Sequence, residues 1–342
     1  MKTLPAGIYT AVPTFFLDNE DIDVETFRRH LQYVSTAGSI PVISGTMGEG
    51  CHLSASERTH LVKITREVLD MSPATKGIPV ITGVGSSSTR ESIELAKSAA
   101  LAGADFVMLI PPGYYAGALK ADNMFAVKQY IIDVSEASPI PLIVYNFPAV
   151  SSGIDMDSDF VIDMVKKAPN VCGMKFTCAN VGKIGRITST LRDPGFQALY
   201  PRRYHQTTQD GAKTDGQTIP YFSAIDGFID ILLPSMAVHS SGAITAISNF
   251  VPKSCVKLWQ LCERAHLSPE AYADAQRLQE LISNADGGVQ RVGVSGMKLI
   301  LHKQFGYGGR PRRPLLPMRD ELVDALLKDD WVQKLLRYEA SM

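Results

Sequence analysis

The chain has 342 residues, 45% of them hydrophobic and 20% charged, with a formal net charge of −1. This is ordinary soluble-globular composition with ample material for a large core, and near-neutral charge without a basic stripe argues against nucleic acid as a main partner. No apolar run reaches the roughly 18 residues that a membrane helix needs.

The first residues, MKTLPAGIYTAVPTFF, enter a strand-like run by Ile8, with no signal peptide and no arginine-rich leader, so the expected compartment is the cytosol. Strands are expected at 8–15 (IYTAVPTF), 40–44 (IPVIS), 78–83 (IPVITG), 105–110 (DFVMLI), 141–146 (PLIVYN), 171–176 (VCGMKF), 221–225 (YFSAI) and 242–247 (GAITAI). Their near-continuous apolar character is that of parallel strands covered on both faces. Between them, Val24–Ala37, Ala55–Leu69 and Ser92–Ala102 are amphipathic with helical spacing. Ser54-Ala55-Ser56-Glu57 and Ser88-Thr89-Arg90-Glu91 read as capping boxes at helix starts.

Eight β/α units over about 250 residues match a (β/α)8 TIM barrel. A doubly wound open sheet is the rival, and the even spacing of eight strands favours closure. The seventh unit is interrupted by a polar insertion at 201–220, PRRYHQTTQDGAKTDGQTIP, readable as a lid over the barrel mouth, an extended subunit contact or a plain surface excursion. After Pro252 the pattern is helical only. The expected organisation is therefore a barrel over 1–252 and a C-terminal helical region over 253–342. The five cysteines contain no C-x-x-C pair and read as reduced core thiols. The seven histidines show no metal-ligand spacing.

Active sites of such barrels lie at the C-terminal ends of the strands. There the sequence places Gly45-Thr46-Met47-Gly48-Glu49-Gly50, Pro111 to Tyr115, Tyr145-Asn146-Phe147-Pro148, and Lys175 followed by Thr177. Apolar surroundings lower a lysine pKa, and a neutral amine attacks a ketone to form a Schiff base whose iminium is an electron sink. Tyrosine and threonine hydroxyls suit the proton transfers that follow. The Gly45–Gly50 turn, read as the head of a helix, offers backbone N–H groups and a helix dipole to a 2-oxo acid carboxylate. Plainer readings stand beside these. Lys175 could pair with a core carboxylate or extend to solvent, Tyr145 could be a rim residue, and the glycine turn a mere connection. The second Gly-Met-Lys, Gly296 to Lys298, has helical spacing beyond barrel closure and reads as the ordinary lysine for comparison. Gly83-Val84-Gly85 lacks a third glycine and reads as a turn.

Together these stretches resemble the dihydrodipicolinate synthase/N-acetylneuraminate lyase family of pyruvate-dependent class I aldolases. The resemblance spans Ala11–Phe16, Gly45–Glu49, Gly83–Glu91, Ala102–Asp105, YNFP at 145–148, GMK at 173–175, Gly242–Pro252 and GRPRRPL at 309–315. It implies that Lys175 forms the Schiff base, Tyr145 shuttles protons and Thr46 relays them. Tyr114, with Tyr115 as a possible shift, matches the tyrosine that completes the relay across a subunit interface. The Thr46 and Met47 amides would hold the pyruvyl carboxylate, and the Ile244 carbonyl would face the lysine. The resemblance also implies a homo-oligomer, typically a homotetramer, and no cofactor.

The departures bear on substrate. Met47 stands where many members carry a second hydroxyl, and Ala149-Val150-Ser151-Ser152-Gly153 lacks the arginine with which dihydrodipicolinate synthases bind their aldehyde's carboxylate. Arg202 or Arg203 could substitute. Gly227-Phe228-Ile229-Asp230 keeps one carboxylate where sialic acid lyases carry two. The expectation is an aldolase cleaving a 2-oxo-3-deoxy sugar acid or 4-hydroxy-2-oxoglutarate to pyruvate and an aldehyde, with Thr177, Ser151, Ser152 and Asp230 near the hydroxylated tail. Its rivals are dihydrodipicolinate synthase-type condensation and a non-catalytic ligand-binding barrel.

Overall fold

The computed structural model describes residues 4–203 and 220–342, with the backbone of 213–214 and 217–218 between them. Eight strands close into a parallel barrel: β1 (Gly7–Ala11), β2 (Ile40–Ile43), β3 (Ile81–Gly83), β4 (Phe106–Leu109), β5 (Leu142–Asn146), β6 (Val171–Phe176), β7 (Ser223–Asp226) and β8 (Gly242–Thr245). Each pairs with its sequence neighbours, and β8 returns to β1 with Ile8 opposite Ala243 and Thr10 opposite Thr245. Every strand expected from sequence is present, most of them shorter. The first apolar run stops pairing at Ala11 because Pro13 cannot donate to a ladder.

Alternation sorts the side chains into two cores. Tyr9, Val42, Ile81, Met108, Ile143, Tyr145, Ile225 and Ile244 fill the barrel interior. Val12, Val107, Val144, Met174, Phe176 and Ala224 pack outward under the helices. Among those helices, Ala55–Asp70 starts with a complete capping box: Ser54 Oγ accepts Glu57 N–H at 3.2 Å and the Glu57 carboxylate accepts Ser54 N–H at 2.8 Å. The second expected box is half formed. Ser88 Oγ accepts Glu91 N–H, but the Glu91 carboxylate turns to the Ser86 hydroxyl instead.

The 201–220 insertion is a helix-to-strand connection, so its described ends lie at the N-terminal end of the barrel, away from Lys175. Arg202 is buried there, donating to the carbonyls of Val165 (2.7 Å), Ala168 (3.1 Å) and Tyr200 (3.0 Å). Arg203 donates to Pro169 O through its backbone and to Glu136 O through its guanidinium. Neither arginine is placed to bind a substrate at the mouth, which corrects that expectation. Residues 204–212, 215–216 and 219 lie outside the described residues, and with them the lid and subunit-contact readings of the insertion.

The C-terminal helices are Pro252–Arg264, Pro269–Phe305, Asp320–Leu327 and Asp330–Ala340. The long one joins two runs that the sequence separates, and breaks at Gly293, whose φ of 56° and ψ of −153° are non-helical. It is no loose appendage. Gln279 donates to Ile229 O and accepts Leu233 N–H, both at 2.9 Å, gripping the turn after β7. Lys298, expected to be unremarkable, is fully buried and pairs with Glu49 of the β2 loop at 2.7 Å. Burial pulls the Lys298 amine down to about 8 while the Glu49 carboxylate opposes that shift, so the ammonium persists at neutral pH. Glu49 also accepts the Arg312 N–H at 2.8 Å and the His52 ring nitrogen at 3.2 Å.

Removing one partner of a buried pair strands the other charge. Glu49→Ala is expected to destabilise the fold by about 3–5 kcal/mol. The double change Glu49→Gln/Lys298→Met is expected to cost less than Glu49→Ala, as read from chemical denaturation. Additive losses would show that the two side chains are not coupled.

Candidate active site

Register decides what the barrel presents at its mouth. An irregularity between Leu142 and Ile143 inserts Cys172 into β6, after which Ile143 faces Gly173, Tyr145 faces Lys175 and Asn146 faces Phe176. Tyr145 and Lys175 therefore point inward side by side. Gly173 is required by closeness, since a Cβ there would lie 2.6 Å from the Ser223 carbonyl of β7. Asn146 points the other way, donating to Asp155 (2.7 Å) and accepting Met156 N–H (3.1 Å), while Lys183 also binds Asp155. That outer network fixes the loop following Tyr145.

Lys175 is 6% exposed, and its Nζ lies 4.3 Å from the centre of the Tyr145 ring. Among the described residues it makes no ion pair and donates no hydrogen bond. Burial alone lowers its amine to about 7. The bland alternative of a core carboxylate partner belongs to Lys298, not to Lys175. Tyr145 is also buried, which pushes its phenol up to about 12, with the Thr46 and Thr177 hydroxyls opposing the shift. Thr46 Oγ1 stands 3.4 Å from the Tyr145 hydroxyl, a long contact of the kind that tightens when substrate binds. Thr177 Oγ1 is buried with no hydrogen-bond partner of good geometry.

The β2 loop bends sharply. Ser44 and Glu49 adopt left-handed φ values of 53° and 52°, and the Ser44 carbonyl is wedged so closely between Gly50 and Gly83 that a Cβ on either would sit 2.1 Å from it. The Thr46 and Met47 amides donate to no protein acceptor among the described residues. The expected helix dipole is not there, however. A short 3-10 turn at Gly50–His52 intervenes, and the helix proper begins only at Ala55. A carboxylate on this loop would be held by free amides.

These groups open onto a cavity of about 380 Å³ that Thr46, Met47, Tyr145, Lys175, Thr177 and Ile244 all line. An adjoining lobe carries Arg58, whose guanidinium donates to the Gly83 and Gly85 carbonyls. Four expected site residues do not line the cavity. Ser151 spends its hydroxyl on the Phe147 and Ile154 carbonyls of its own turn, and Ser152 is exposed beside it. Tyr114 is 85% exposed and packs edge-on against Tyr115. Asp230 is at one remove, joined through Gln290 (3.2 Å) to the cavity wall. Sequence reasoning missed that wall: Asp286, Val289, Gln290, Gly293, Val294 and Met297 come from the long C-terminal helix. Its signal was the run of glycines at 287, 288, 293 and 296, poor helix formers inside a helical pattern.

The sequence profile of the Dihydrodipicolinate synthetase family matches residues 4–198. An L-threo-3-deoxy-hexylosonate aldolase from Aspergillus niger is 36% identical over 94% of this chain and 93% of its own length. A protein of Emericella nidulans named "probable 4-hydroxy-2-oxoglutarate aldolase, mitochondrial" is 33% identical over 95% of this chain and 94% of its own. The crystal structure of a dihydrodipicolinate synthase family protein from Coccidioides immitis superposes with a TM-score of 0.79 at 28% identity, covering 100% of this chain and 99% of that one. With these matches running the length of a barrel whose mouth holds the lysine, tyrosine and threonine just described, the chain belongs to the dihydrodipicolinate synthetase family.

Proposed function

We propose that the protein is a class I aldolase that cleaves a 2-oxo-3-deoxy sugar acid or 4-hydroxy-2-oxoglutarate to pyruvate and an aldehyde through an imine on Lys175. The observation that carries this reading is the uncompensated Lys175 amine, buried beside Tyr145 and poised near neutrality. The neutral Nζ adds to the C2 carbonyl, and loss of water gives the iminium. As the C3–C4 bond breaks, its electron pair flows into the iminium to form an enamine. The proton of the C4 hydroxyl passes to the Tyr145 oxygen while Tyr145 hands its own to Thr46, which releases its hydroxyl proton to the next member of the relay, and the aldehyde leaves. A proton returned along this path to C3 gives the pyruvyl imine, which water hydrolyses to pyruvate and free Lys175. The Thr46 and Met47 amides hold the C1 carboxylate throughout.

Condensation with aspartate semialdehyde fits less well. Lys175 is the only lysine or arginine lining the cavity among the described residues, and Arg58 of the adjoining lobe already donates to the Gly83 and Gly85 carbonyls, so within the cavity the aldehyde's carboxylate has no cation beyond the imine lysine. The curated relatives above carry aldolase names, which favours the cleavage reading. We also infer that a second copy completes the relay, because Tyr114 is exposed in a single chain and does not reach the cavity.

Borohydride reduction with pyruvate is expected to add a pyruvyl-sized mass to the peptide containing Lys175, and nothing in Lys175→Ala. No adduct on folded wild-type protein would sink the aldolase reading in favour of a binding barrel. Tyr145→Phe is expected to retain the trapped adduct while kcat for cleavage falls by about 10²–10⁴.

A pH test follows from the amine. Its folded value of about 7 lies below the unfolded value of about 10.4. Between those limits the unfolded chain binds more protons, so this group makes stability rise with pH from about 7 to 10. The trapping rate should rise through pH 7 as the amine deprotonates. Lys175→Met should flatten the stability slope and raise the melting temperature at pH 7 by about 2–5 °C. A lower melting temperature for that variant would show that the buried amine is not a burden on the fold.

A further inference from the structure

The cavity wall supplied by the C-terminal helix is acidic. Asp286 is 2% exposed, and its Oδ2 accepts the Gln290 amide at 2.8 Å. The same amide donates to Asp230 Oδ2 at 3.2 Å, so one glutamine holds two carboxylates together. Asp286 Oδ1 makes no hydrogen bond among the described residues, and Asp230 Oδ1 is buried without a partner. Among the described residues no lysine or arginine besides Lys175 lines the cavity there. In the same cavity stands Thr177 Oγ1, on a residue more than nine-tenths buried, near the Tyr145 hydroxyl and without a well-aligned hydrogen bond among the described residues.

Fastening the helix to the barrel does not require Asp286. Gln279 already grips Ile229 and Leu233, and the Ser283 hydroxyl donates to the Asp230 carbonyl at 3.0 Å. Burial and the neighbouring Asp230 raise the Asp286 carboxyl to about 7, the mark of a group held against its solvation preference. Such unmet acceptors ask for donors from the ligand. A hydroxyl donates one hydrogen bond and accepts others, and so satisfies both a carboxylate oxygen and the threonine. A ligand carboxylate only accepts, and here it would meet Asp286, with Asp230 behind it and no cation but the imine lysine among the described lining residues.

We propose that Asp286, held by Gln290 against Asp230 and assisted by Thr177, recognises the hydroxylated carbons beyond C4 and so selects polyhydroxylated 2-oxo-3-deoxy acids over dicarboxylic substrates. The inference rests on the aldolase reading and chooses between the two substrate classes that reading leaves open. It also supplies the second carboxylate that the sequence around Asp230 lacks, from a helix 56 residues further on.

The test compares kcat/KM for a six-carbon 2-oxo-3-deoxy sugar acid, supplied as its C4 and C5 epimers, with that for 4-hydroxy-2-oxoglutarate. Wild-type protein is expected to favour the sugar acid. Asp286→Ala should lower the sugar-acid to dicarboxylate ratio by about 10–100-fold, chiefly through KM for the sugar acid. Asp286→Asn, which keeps shape and removes charge, should narrow the ratio by improving the dicarboxylate, and Gln290→Ala should act in the same direction. A wild-type preference for the dicarboxylate, or equal losses on both substrates in folded variants, would overturn the inference while pyruvate trapping on Lys175 kept the aldolase reading intact. Absence of trapping on wild-type protein would remove both.

Discussion

A primary amine kept inside a barrel without a counter-charge is the constraint around which this site is arranged. Burial of an ammonium is unfavourable unless it is paired, and an unpaired one relieves the cost by losing its proton. The chain contains both solutions. Lys298 meets the Glu49 carboxylate and stays charged, whereas Lys175 meets the face of a tyrosine ring and has its amine lowered to about 7. The difference lies in neighbours rather than depth, since both side chains are almost wholly removed from solvent.

Much of the surrounding architecture serves to hold that arrangement still. One inserted residue in β6 sets the phase that turns Lys175 inward beside Tyr145, and Gly173 permits the close strand contact that accompanies it. On the outer face, Asn146, Asp155 and Lys183 pin the loop that follows Tyr145. On the other side, Ser44 is clamped between Gly50 and Gly83, which leaves the Thr46 and Met47 amides free. The Lys298–Glu49 pair then ties that same loop to the C-terminal helix, so the paired lysine steadies one wall of the cavity that the unpaired one enters.

What could be read from sequence follows the range of the interactions. The strands were readable because each apolar run reports its own burial, and Lys175, Tyr145 and Thr46 because strand ends define a barrel's active face. Ser151 and Ser152 were misplaced because one closes a turn of its own, which depends on loop geometry rather than residue type. The helix dipole expected at the β2 loop is absent because five residues of 3-10 turn and cap, Gly50 to Ser54, separate the loop from the helix. Arg202 and Arg203 entered consideration only as the nearest spare cations, and topology sends that connection to the far end of the barrel. The Asp286 wall and the Glu49–Lys298 pair bring together residues more than fifty and more than two hundred positions apart, beyond the reach of any local pattern.

That distance has a functional meaning. In the proposed mechanism Tyr145 and Lys175 sit on β5 and β6, where the barrel ladder sets them side by side, and Thr46 on the loop after β2. The acidic wall sits on a helix that breaks at Gly293 and is attached to the barrel through side chains rather than a ladder. A change on that helix can alter which tail is accepted while the register of Lys175 and Tyr145 stays as it is. Relatives sharing this barrel yet named for a sugar acid in one case and a dicarboxylate in another are what such a division of labour would produce.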